Sequence, residues 1–344
     1  MSLWQRLFKP KMTAIGFTQA DEAFSARQIK QPTPTGHDIL VKVTASAVNP
    51  VDVKMKASYI GDNFRVLGFD AVGEVLAIGD AVTRFAVGER VFYAGSQLRA
   101  GSQQDVQLVD ERLVGFAPVN LSDEQAAALP LTSLTAYEML TEAFELPFKA
   151  GAGAGKTVLI INGAGGVGSI LIQLAKYLGL TVIATASRPN SVAWVEHLGA
   201  DFVLNHHQNL TEQLTHLQLA QVDYVAILAD TAAYWEVATT VIAPFGRIAS
   251  IVETDEPLPL NRLKNIGAQF KWVFMFAKGN YEHEMLSQGN ALNEIAALAD
   301  GGVIESTTST VYRGLNAANV AKAHAQLQAG HTIGKIVIVH EEEN

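Results

Sequence analysis

Residues 157–179 of the chain read TVLIINGAGGVGSILIQLAKYLG. The first six residues are apolar and mostly β-branched, which is typical of a strand buried on both faces of a parallel sheet. Glycines then follow in the pattern G-x-G-x-x-G, and apolar residues recur at helical spacing until Gly179, which is placed to end the helix. Strand, glycine turn and helix come in the order that a dinucleotide-binding unit requires.

The glycines of such a unit allow a tight turn, a close approach of the backbone to a pyrophosphate, and close packing of helix on strand. The N-terminus of the helix adds N–H groups and the positive end of a dipole. The alternative interpretation is a glycine-rich turn in some other α/β sheet. We predict that the pyrophosphate of a dinucleotide is held by Gly163, Gly165, Gly166, Val167 and Gly168.

The end of the next strand, residues 181–185, bears on which dinucleotide binds. An Asp or Glu about 20 residues beyond the glycines would hold the ribose 2′-hydroxyl of NADH. Here the chain has Ser187 and Arg188 instead. Ser187 can donate to a 2′-phosphate, and Arg188 can pair with it. The sequence therefore favours NADPH over NADH, although Arg188 is also compatible with an ordinary solvated residue at the start of a helix.

Composition bounds the remaining possibilities. A chain of 344 residues with 49% hydrophobic and 17% charged residues is expected to form two soluble α/β domains. The net charge of −9 argues against nucleic acid as the main partner. No apolar run is long enough to span a bilayer and no signal peptide is evident, so we expect a cytoplasmic protein. The absence of cysteine excludes disulfides, thiolate catalysis and cysteine-ligated zinc.

The predicted secondary structure changes near Leu121 from mainly strands to alternating helices and strands. Residues 1–11 are interpreted as a short basic extension, and residues 13–121 as β-rich, forming a small barrel or sandwich. Ser122 and Gln125 predict a helix start, and strands and helices alternate from there, as in a doubly wound parallel sheet. Residues 270–276 are predicted to add an outer strand. Strands at 306–312 and 336–340, with a helix at 317–328 between them, are expected to return to the first domain.

These features together resemble the medium-chain dehydrogenase/reductase superfamily over nearly the whole chain. Within it, the chain is similar to the zinc-independent quinone oxidoreductase branch and to proteins labelled zinc-type alcohol dehydrogenase-like. The resemblance implies an α/β fold with a GroES-like β-rich domain at 12–128 and 306–344 and a Rossmann domain at 129–305. It is carried by SAVNPVD (46–52), VLGFDAVGEV (66–75), VTRFAVGERVF (82–92), LTSLTAYEML (131–140), NGAGGVG (162–168) and GKIV (334–337).

The chain departs from zinc alcohol dehydrogenases at the metal ligands. The resemblance places Asn49 where those enzymes have a Cys, and Phe69 where they have a His. Phe69 cannot bind a metal, so we expect no metal site. The adjacent His206 and His207 are interpreted as loop histidines, since no metal-binding spacing accompanies them.

Without a metal to stabilise an oxyanion, the acceptor itself must be electrophilic. Quinones and α,β-unsaturated carbonyls meet this requirement, because conjugation spreads the charge that they gain. The resemblance implies Asn49, Tyr59 and Thr135 as substrate-contacting residues. Each also has a structural interpretation, as a turn former, a packed aromatic and an ordinary helix residue respectively.

The resemblance also implies Lys335 as a contact to a cofactor phosphate and Phe274 as an approach to the nicotinamide or a subunit contact. A homodimer is expected, with the outer strand at its interface. Two rival functions stay open at this point. One is an alkenal or enone double-bond reductase that reduces quinones only incidentally. The other is a non-catalytic NADPH-binding redox sensor.

Overall fold

The computed structural model describes residues 10–19, 21 and 23–341, so residues 1–9 of the basic extension lie outside the described part. The chain forms two compact units. One contains the described residues up to Leu131 together with those from Phe276 onward, and the other is Thr132–Met275. None of the helices in the described part is long and apolar enough to cross a membrane.

The described part of the chain contains strands and helices with the following bounds. The strands are β1 (Lys11–Phe17), β2 (Ser25–Lys30), β3 (Asp38–Val48), β4 (Arg65–Val66), β5 (Asp70–Ile78), β6 (Arg90–Tyr93), β7 (Val106–Asp110), β8 (Val114–Phe116), β9 (Thr157–Ile161), β10 (Thr181–Thr185), β11 (Phe202–Leu204), β12 (Val222–Ile227), β13 (Ile242–Ser250), β14 (Gln269–Trp272), β15 (Thr308–Arg313) and β16 (Lys335–Val339). The α-helices are α1 (Pro50–Ala57), α2 (Asp123–Ala126), α3 (Pro130–Glu138), α4 (Gly166–Tyr177), α5 (Pro189–His197), α6 (Leu210–His216), α7 (Thr231–Val241), α8 (Asn261–Lys264), α9 (Phe276–Asn280), α10 (Met285–Asp300) and α11 (Ala317–Gln328). A 3₁₀ turn at Glu111–Leu113 and a π-helical segment at Met139–Ala143 complete the description.

The second unit is built on a parallel sheet with the order β11-β10-β9-β12-β13-β14. Numbered from β9 as strand 1, this is 3-2-1-4-5-6, the order of a Rossmann fold. The direction of winding reverses between β9 and β12, and ligands of such sheets bind at that reversal. The central strands are buried because helices cover both faces. Their apolar side chains form one core with helix residues such as Trp235 and Leu214.

The first unit contains the β-rich structure expected from the sequence. Its larger sheet runs β15-β16-β3-β5-β6-β8, with β7 also paired to β3, and a smaller sheet has the order β2-β1-β4. β16 pairs antiparallel with β3, joining Ile336 to Val48. The C-terminal strand β16 thus lies in the sheet of the first unit, and the predicted α/β fold class is confirmed.

Residues 276–305 lie with the first unit, whereas the sequence analysis grouped them with the dinucleotide-binding domain. The reason is the packing of α10 against β8. Asn293 accepts a hydrogen bond from the Phe116 backbone at 2.9 Å. Gly115 leaves room for the helix, because a Cβ at this position would lie 2.6 Å from Cβ of Leu292.

Candidate functional site

The glycine turn is shaped by contacts that only glycine allows. β9 ends at Ile161, and Asn162, which follows it, has a positive φ of 67°. A Cβ on Gly163 would lie 2.8 Å from Cβ of Ala184 in β10, so the turn fits closely against the neighbouring strand. A Cβ on Gly168 would lie 2.5 Å from the carbonyl oxygens of both Asn162 and Gly163. Gly168 therefore allows α4 to start directly against the strand end.

The N-terminus of α4 has the features of an anion-binding site. Gly165 is its N-cap residue and makes no side-chain cap. A Cβ on Gly165 would come closest to the Asn162 side chain, at 3.0 Å, and the nearest backbone atom, the Asn162 carbonyl oxygen, would lie at an ordinary contact distance of 3.5 Å. Gly166 and Val167 are half-buried in the first helical turn. The first N–H groups of a helix have no partner within the helix and suit a phosphate.

The end of β10 places the two residues predicted to read the 2′-phosphate at the carboxyl edge of the sheet. Ser187 is half-buried, and Arg188 is exposed and precedes α5. The residues after the strand include no acid before α5 begins. His206, which the sequence analysis interpreted as a loop residue, lies here as well. Its Nε2 is 3.3 Å from Oγ of Ser187, because β10 and β11 are parallel neighbours whose ends coincide.

We use the name cofactor edge for the glycine turn (163–168) together with Ser187, Arg188 and His206. The glycines follow β9 and are separated from the serine–arginine pair by one helix, α4, and one strand, β10, as in a dinucleotide-binding unit. Because glycine has no side chain, the turn leaves room for a pyrophosphate. The end of β10 carries a basic residue and no acid before α5, which suits a phosphate. These residues can therefore hold a nicotinamide dinucleotide.

The first unit contains a second cluster, which joins two residues predicted separately. Asn49 donates from Nδ2 to Asp70 Oδ2 at 2.8 Å. Lys335, only 3% exposed, donates to the same Asp70 oxygen at 2.8 Å, to the Val48 carbonyl at 3.1 Å, and to Oδ1 of Asn49. The other oxygen of Asp70 accepts from the Leu131 backbone at 2.6 Å. All three N–H groups of the ammonium thus point to protein oxygens.

Asp52 extends this cluster from the first turn of α1. Its Oδ2 accepts from the Asn49 backbone at 2.7 Å and its Oδ1 from the Gly68 backbone at 2.8 Å. Complete burial raises the pKa of Asp52 to about 7, and Asp70 adds to the rise, whereas the two backbone hydrogen bonds and Lys335 oppose it. We call Asn49, Asp52, Asp70 and Lys335 the buried polar network.

Sequence reasoning missed Asp52 and Asp70, and it assigned Lys335 to a cofactor phosphate. That role stays a prediction, and it requires the ammonium to give up one of its protein oxygens. A local signal existed for Asp52, because Asn49-Pro50 opens a helix with Asp52 at the third helical position. For Asp70 the signal was a carboxylate that begins an apolar strand.

The remaining predicted residues lie elsewhere. Tyr59 follows α1, donates its hydroxyl to the Asn63 carbonyl at 2.9 Å and packs edge-on against Phe17. Thr135 is buried in α3, within the second unit. Phe274 was expected on the outer strand, but β14 ends at Trp272 and Phe274 lies beyond it, 50% exposed.

The residues that resemble the zinc alcohol dehydrogenase ligands do not fit a zinc ion. Phe69 is buried and packs its ring on Phe276. Both oxygens of Asp70 already accept from protein donors, one of them from the Lys335 ammonium. Within residues 10–19, 21 and 23–341, no three His, Cys, Asp or Glu side chains are grouped so that they could hold a metal.

A Rossmann sheet with a glycine cradle and a separate β-rich unit define a two-domain nucleotide-dependent oxidoreductase class. Residues 35–127 match the model for the alcohol dehydrogenase GroES-like domain, and residues 198–338 match the model for zinc-binding dehydrogenases. A Staphylococcus epidermidis zinc-type alcohol dehydrogenase-like protein is 42% identical over 95% of this chain and 99% of its own length. The chain therefore belongs to the medium-chain dehydrogenase/reductase superfamily of oxidoreductases.

The chain is also similar to two reductases whose names state different substrates. The structure of Escherichia coli quinone oxidoreductase complexed with NADPH aligns with a TM-score of 0.79 and 25% identity, covering 95% of this chain and 99% of that one. A 2-methylene-furan-3-one reductase of Solanum lycopersicum is 28% identical over 87% of this chain and 71% of its own length.

Proposed function

We propose that this protein is an NADPH-dependent oxidoreductase that works without zinc and reduces quinones or activated α,β-unsaturated carbonyls. The observation that carries the proposal is the buried polar network, in which an ammonium and an amide surround Asp70 at the positions that resemble a metal site. Such a network offers an oriented amide donor on Asn49, and no ligand set for a Lewis acid. Conjugated acceptors are the class of substrate that needs no more than this.

The cofactor preference follows from the cofactor edge. Ser187 and Arg188 are proposed to hold the 2′-phosphate, and Gly165, Gly166 and Val167 the pyrophosphate. The E. coli relative in this fold was crystallised with NADPH, which supports the same assignment. When bound, the reduced nicotinamide supplies a hydride to the acceptor.

Asn49 is proposed to donate to the acceptor oxygen as it gains negative charge. An amide carries two N–H groups. One binds Asp70, and the second is the group that we assign to the acceptor. Lys335 holds the amide oxygen and Asp70 the amide nitrogen, so the amide has one orientation. An orientation fixed before the reaction is what makes such a donor effective in catalysis.

The first test measures NADPH oxidation by metal-free protein with 1,4-benzoquinone, 9,10-phenanthrenequinone and an alkenal, with NADH for comparison. Turnover with NADPH in the presence of a chelator is expected. We also expect Asn49→Ala to lower kcat by about two orders of magnitude while the dissociation constant for NADPH stays the same. NADPH binding without turnover of any acceptor would contradict the proposal and favour the redox sensor.

A second candidate within the same chemistry is a dedicated enone double-bond reductase, supported by the similarity to the tomato furanone reductase. The two functions differ in the favoured acceptor. A kcat/KM that is higher for the alkenal than for both quinones would favour the enone reductase. The reverse order would favour the quinone reductase.

A homodimer is proposed through the edge of the six-stranded sheet. β14 ends this sheet in the described part of the chain, and Trp272 is 45% exposed beside the half-exposed Phe274. An uncovered strand edge with large apolar side chains is suited to pairing with a second copy. Light scattering should give twice the chain mass, and a monomeric mass would contradict the dimer.

A further inference from the structure

His206 lies where the carboxyl ends of β10 and β11 meet. β10 is the strand whose end faces the ribose in a dinucleotide-binding unit. Thr185 and Leu204 end the two strands and pair with each other, so the residues that follow, Ser187 and His206, emerge side by side. Oγ of Ser187 and Nε2 of His206 are 3.3 Å apart. A phosphate held by the serine hydroxyl would therefore lie within reach of the imidazole.

The surroundings of His206 are cationic. Partial burial lowers the pKa of His206, and His207 and Arg188 lower it further through their charge. The His206 and His207 rings are 4.4 Å apart. The two acids nearest to it along the chain have other partners: Asp201 pairs with Lys176 at 2.7 Å, and Glu212 on α6 accepts from the Asn209 amide. In the described part of the chain, the charged groups that act on His206 are thus basic.

This arrangement disfavours a positive charge on His206 until an anion arrives. Partial burial and the charge of Arg188 keep the pKa of His206 below its ordinary value in the free protein, which favours the neutral imidazole. A phosphate placed between Arg188 and His206 would reverse the balance, because a nearby negative charge favours the protonated imidazole. The proton comes from solvent, so phosphate binding and proton uptake are linked.

We propose that His206 is a specificity-determining residue that takes up a proton when the 2′-phosphate of NADPH binds against it and Ser187, so that the preference for NADPH over NADH increases as the pH falls. This inference rests on the proposed cofactor preference. It adds a residue to the phosphate site and gives the site a pH dependence. NADH has a hydroxyl in place of this phosphate, so its affinity does not increase when His206 is protonated.

The test is the ratio of the dissociation constants for NADH and NADPH between about pH 8 and about pH 6, the range in which an ordinary histidine titrates. The full-length protein is compared with His206→Gln and with the matched control His207→Gln, which changes the exposed neighbour. We expect the ratio for the unchanged protein to rise by about tenfold, equal to one unit of pKa change. His206→Gln should remove most of this rise, and His207→Gln should retain it.

Calorimetry in two buffers of different ionisation enthalpy counts the protons directly. NADPH binding should take up a substantial fraction of a proton in the unchanged protein and clearly less in His206→Gln, while NADH binding should take up none. The second pKa of the phosphate itself is about 6, and this contribution remains in both proteins. The difference in proton uptake between the two proteins therefore measures the protonation of the His206 imidazole.

The outcomes separate the inference from the function on which it rests. If NADPH is preferred but its pH profile and proton uptake are the same in His206→Gln, the inference is overturned and the proposed cofactor preference stands. If NADH binds as tightly as NADPH at every pH, both are overturned.

Discussion

In the buried polar network, both oxygens of Asp70 and all three N–H groups of Lys335 are satisfied by the protein. At the cofactor edge, α4 begins at a glycine that makes no side-chain cap, and basic residues gather without an acid after β10. In the first region the protein itself satisfies the two charged groups, whereas in the second the first N–H groups of α4 have no partner within the helix and suit an anion. Substitutions in the network should therefore change stability first, and substitutions at the edge should change cofactor affinity first.

The largest effect is expected for Lys335→Met. The change leaves Asp70 buried opposite an apolar group, and breaking a buried ion pair in this way costs about 3–5 kcal/mol in unfolding free energy. Urea unfolding followed by circular dichroism measures the loss. The matched control is Lys156→Met, which breaks the more exposed pair with Asp223 and should cost about 1 kcal/mol or less. Equal losses in the two variants would contradict the expectation that the buried polar network contributes more to stability than a partly exposed ion pair.

Gly168→Ala should affect both stability and binding. Its Cβ would lie 2.5 Å from two backbone oxygens that cannot move aside easily, so we expect a loss of about 1–3 kcal/mol together with weaker NADPH binding. Gly165→Ala is the control within the same turn, because its Cβ would come closest to a side chain, that of Asn162 at 3.0 Å, and would lie 3.5 Å from the nearest backbone atom. It should weaken NADPH binding while the unfolding free energy changes little. A stable Gly168→Ala protein would show that the contact is relieved by movement of the turn.

Arg188→Ala should act on binding alone. Losing a charge-assisted hydrogen bond is expected to cost about 1.5–3 kcal/mol, so the dissociation constant for NADPH should rise by about tenfold to a hundredfold. The constant for NADH and the melting temperature should not change. Fluorescence titration measures both cofactors, with exposed Lys264→Ala on α8 as the control. An equal loss of affinity for NADH would show that Arg188 does not bind the 2′-phosphate.

The smallest effect, when expressed per pH unit, is the pH dependence of stability produced by Asp52. Burial raises its pKa to about 7, far above that of an unfolded aspartate, so the folded state holds the proton more tightly. The stability contributed by this group is complete below about pH 4 and is lost as the pH rises to about 7. The slope amounts to at most about 1.4 kcal/mol for each pH unit. Unfolding free energies at several pH values should show this slope in the unchanged protein and not in Asp52→Asn.

The sequence predicted those elements whose signals are local. The helix expected at 317–328 is α11 with the same bounds, and Ser122 and Gln125 cap α2 through reciprocal hydrogen bonds. The glycine pattern likewise located β9, the turn and α4 correctly. In each case the residues that determine the structure lie within one strand or one helical turn of each other.

Contacts between distant parts of the chain could not be predicted in this way. Asp70 and Lys335 are 265 residues apart, and their meeting depends on the pairing of β16 with β3 and of β3 with β5. The contact between His206 and Ser187 could not be predicted from the sequence, because it exists only once β10 and β11 lie side by side. The grouping of α10 with the first unit likewise depends on tertiary packing against β8.

The central claim is that this protein transfers hydride from NADPH to a conjugated acceptor without a metal. It is tested most directly with chelator-treated protein and NADPH deuterated at C4 on one face or the other, with an alkenal and a quinone as acceptors. The account predicts turnover with both acceptors, with a rate that falls for one labelled form only. Deuterium from that form should appear on carbon in the product of the alkenal. No transfer from either form, or transfer only after zinc is added, would contradict the account.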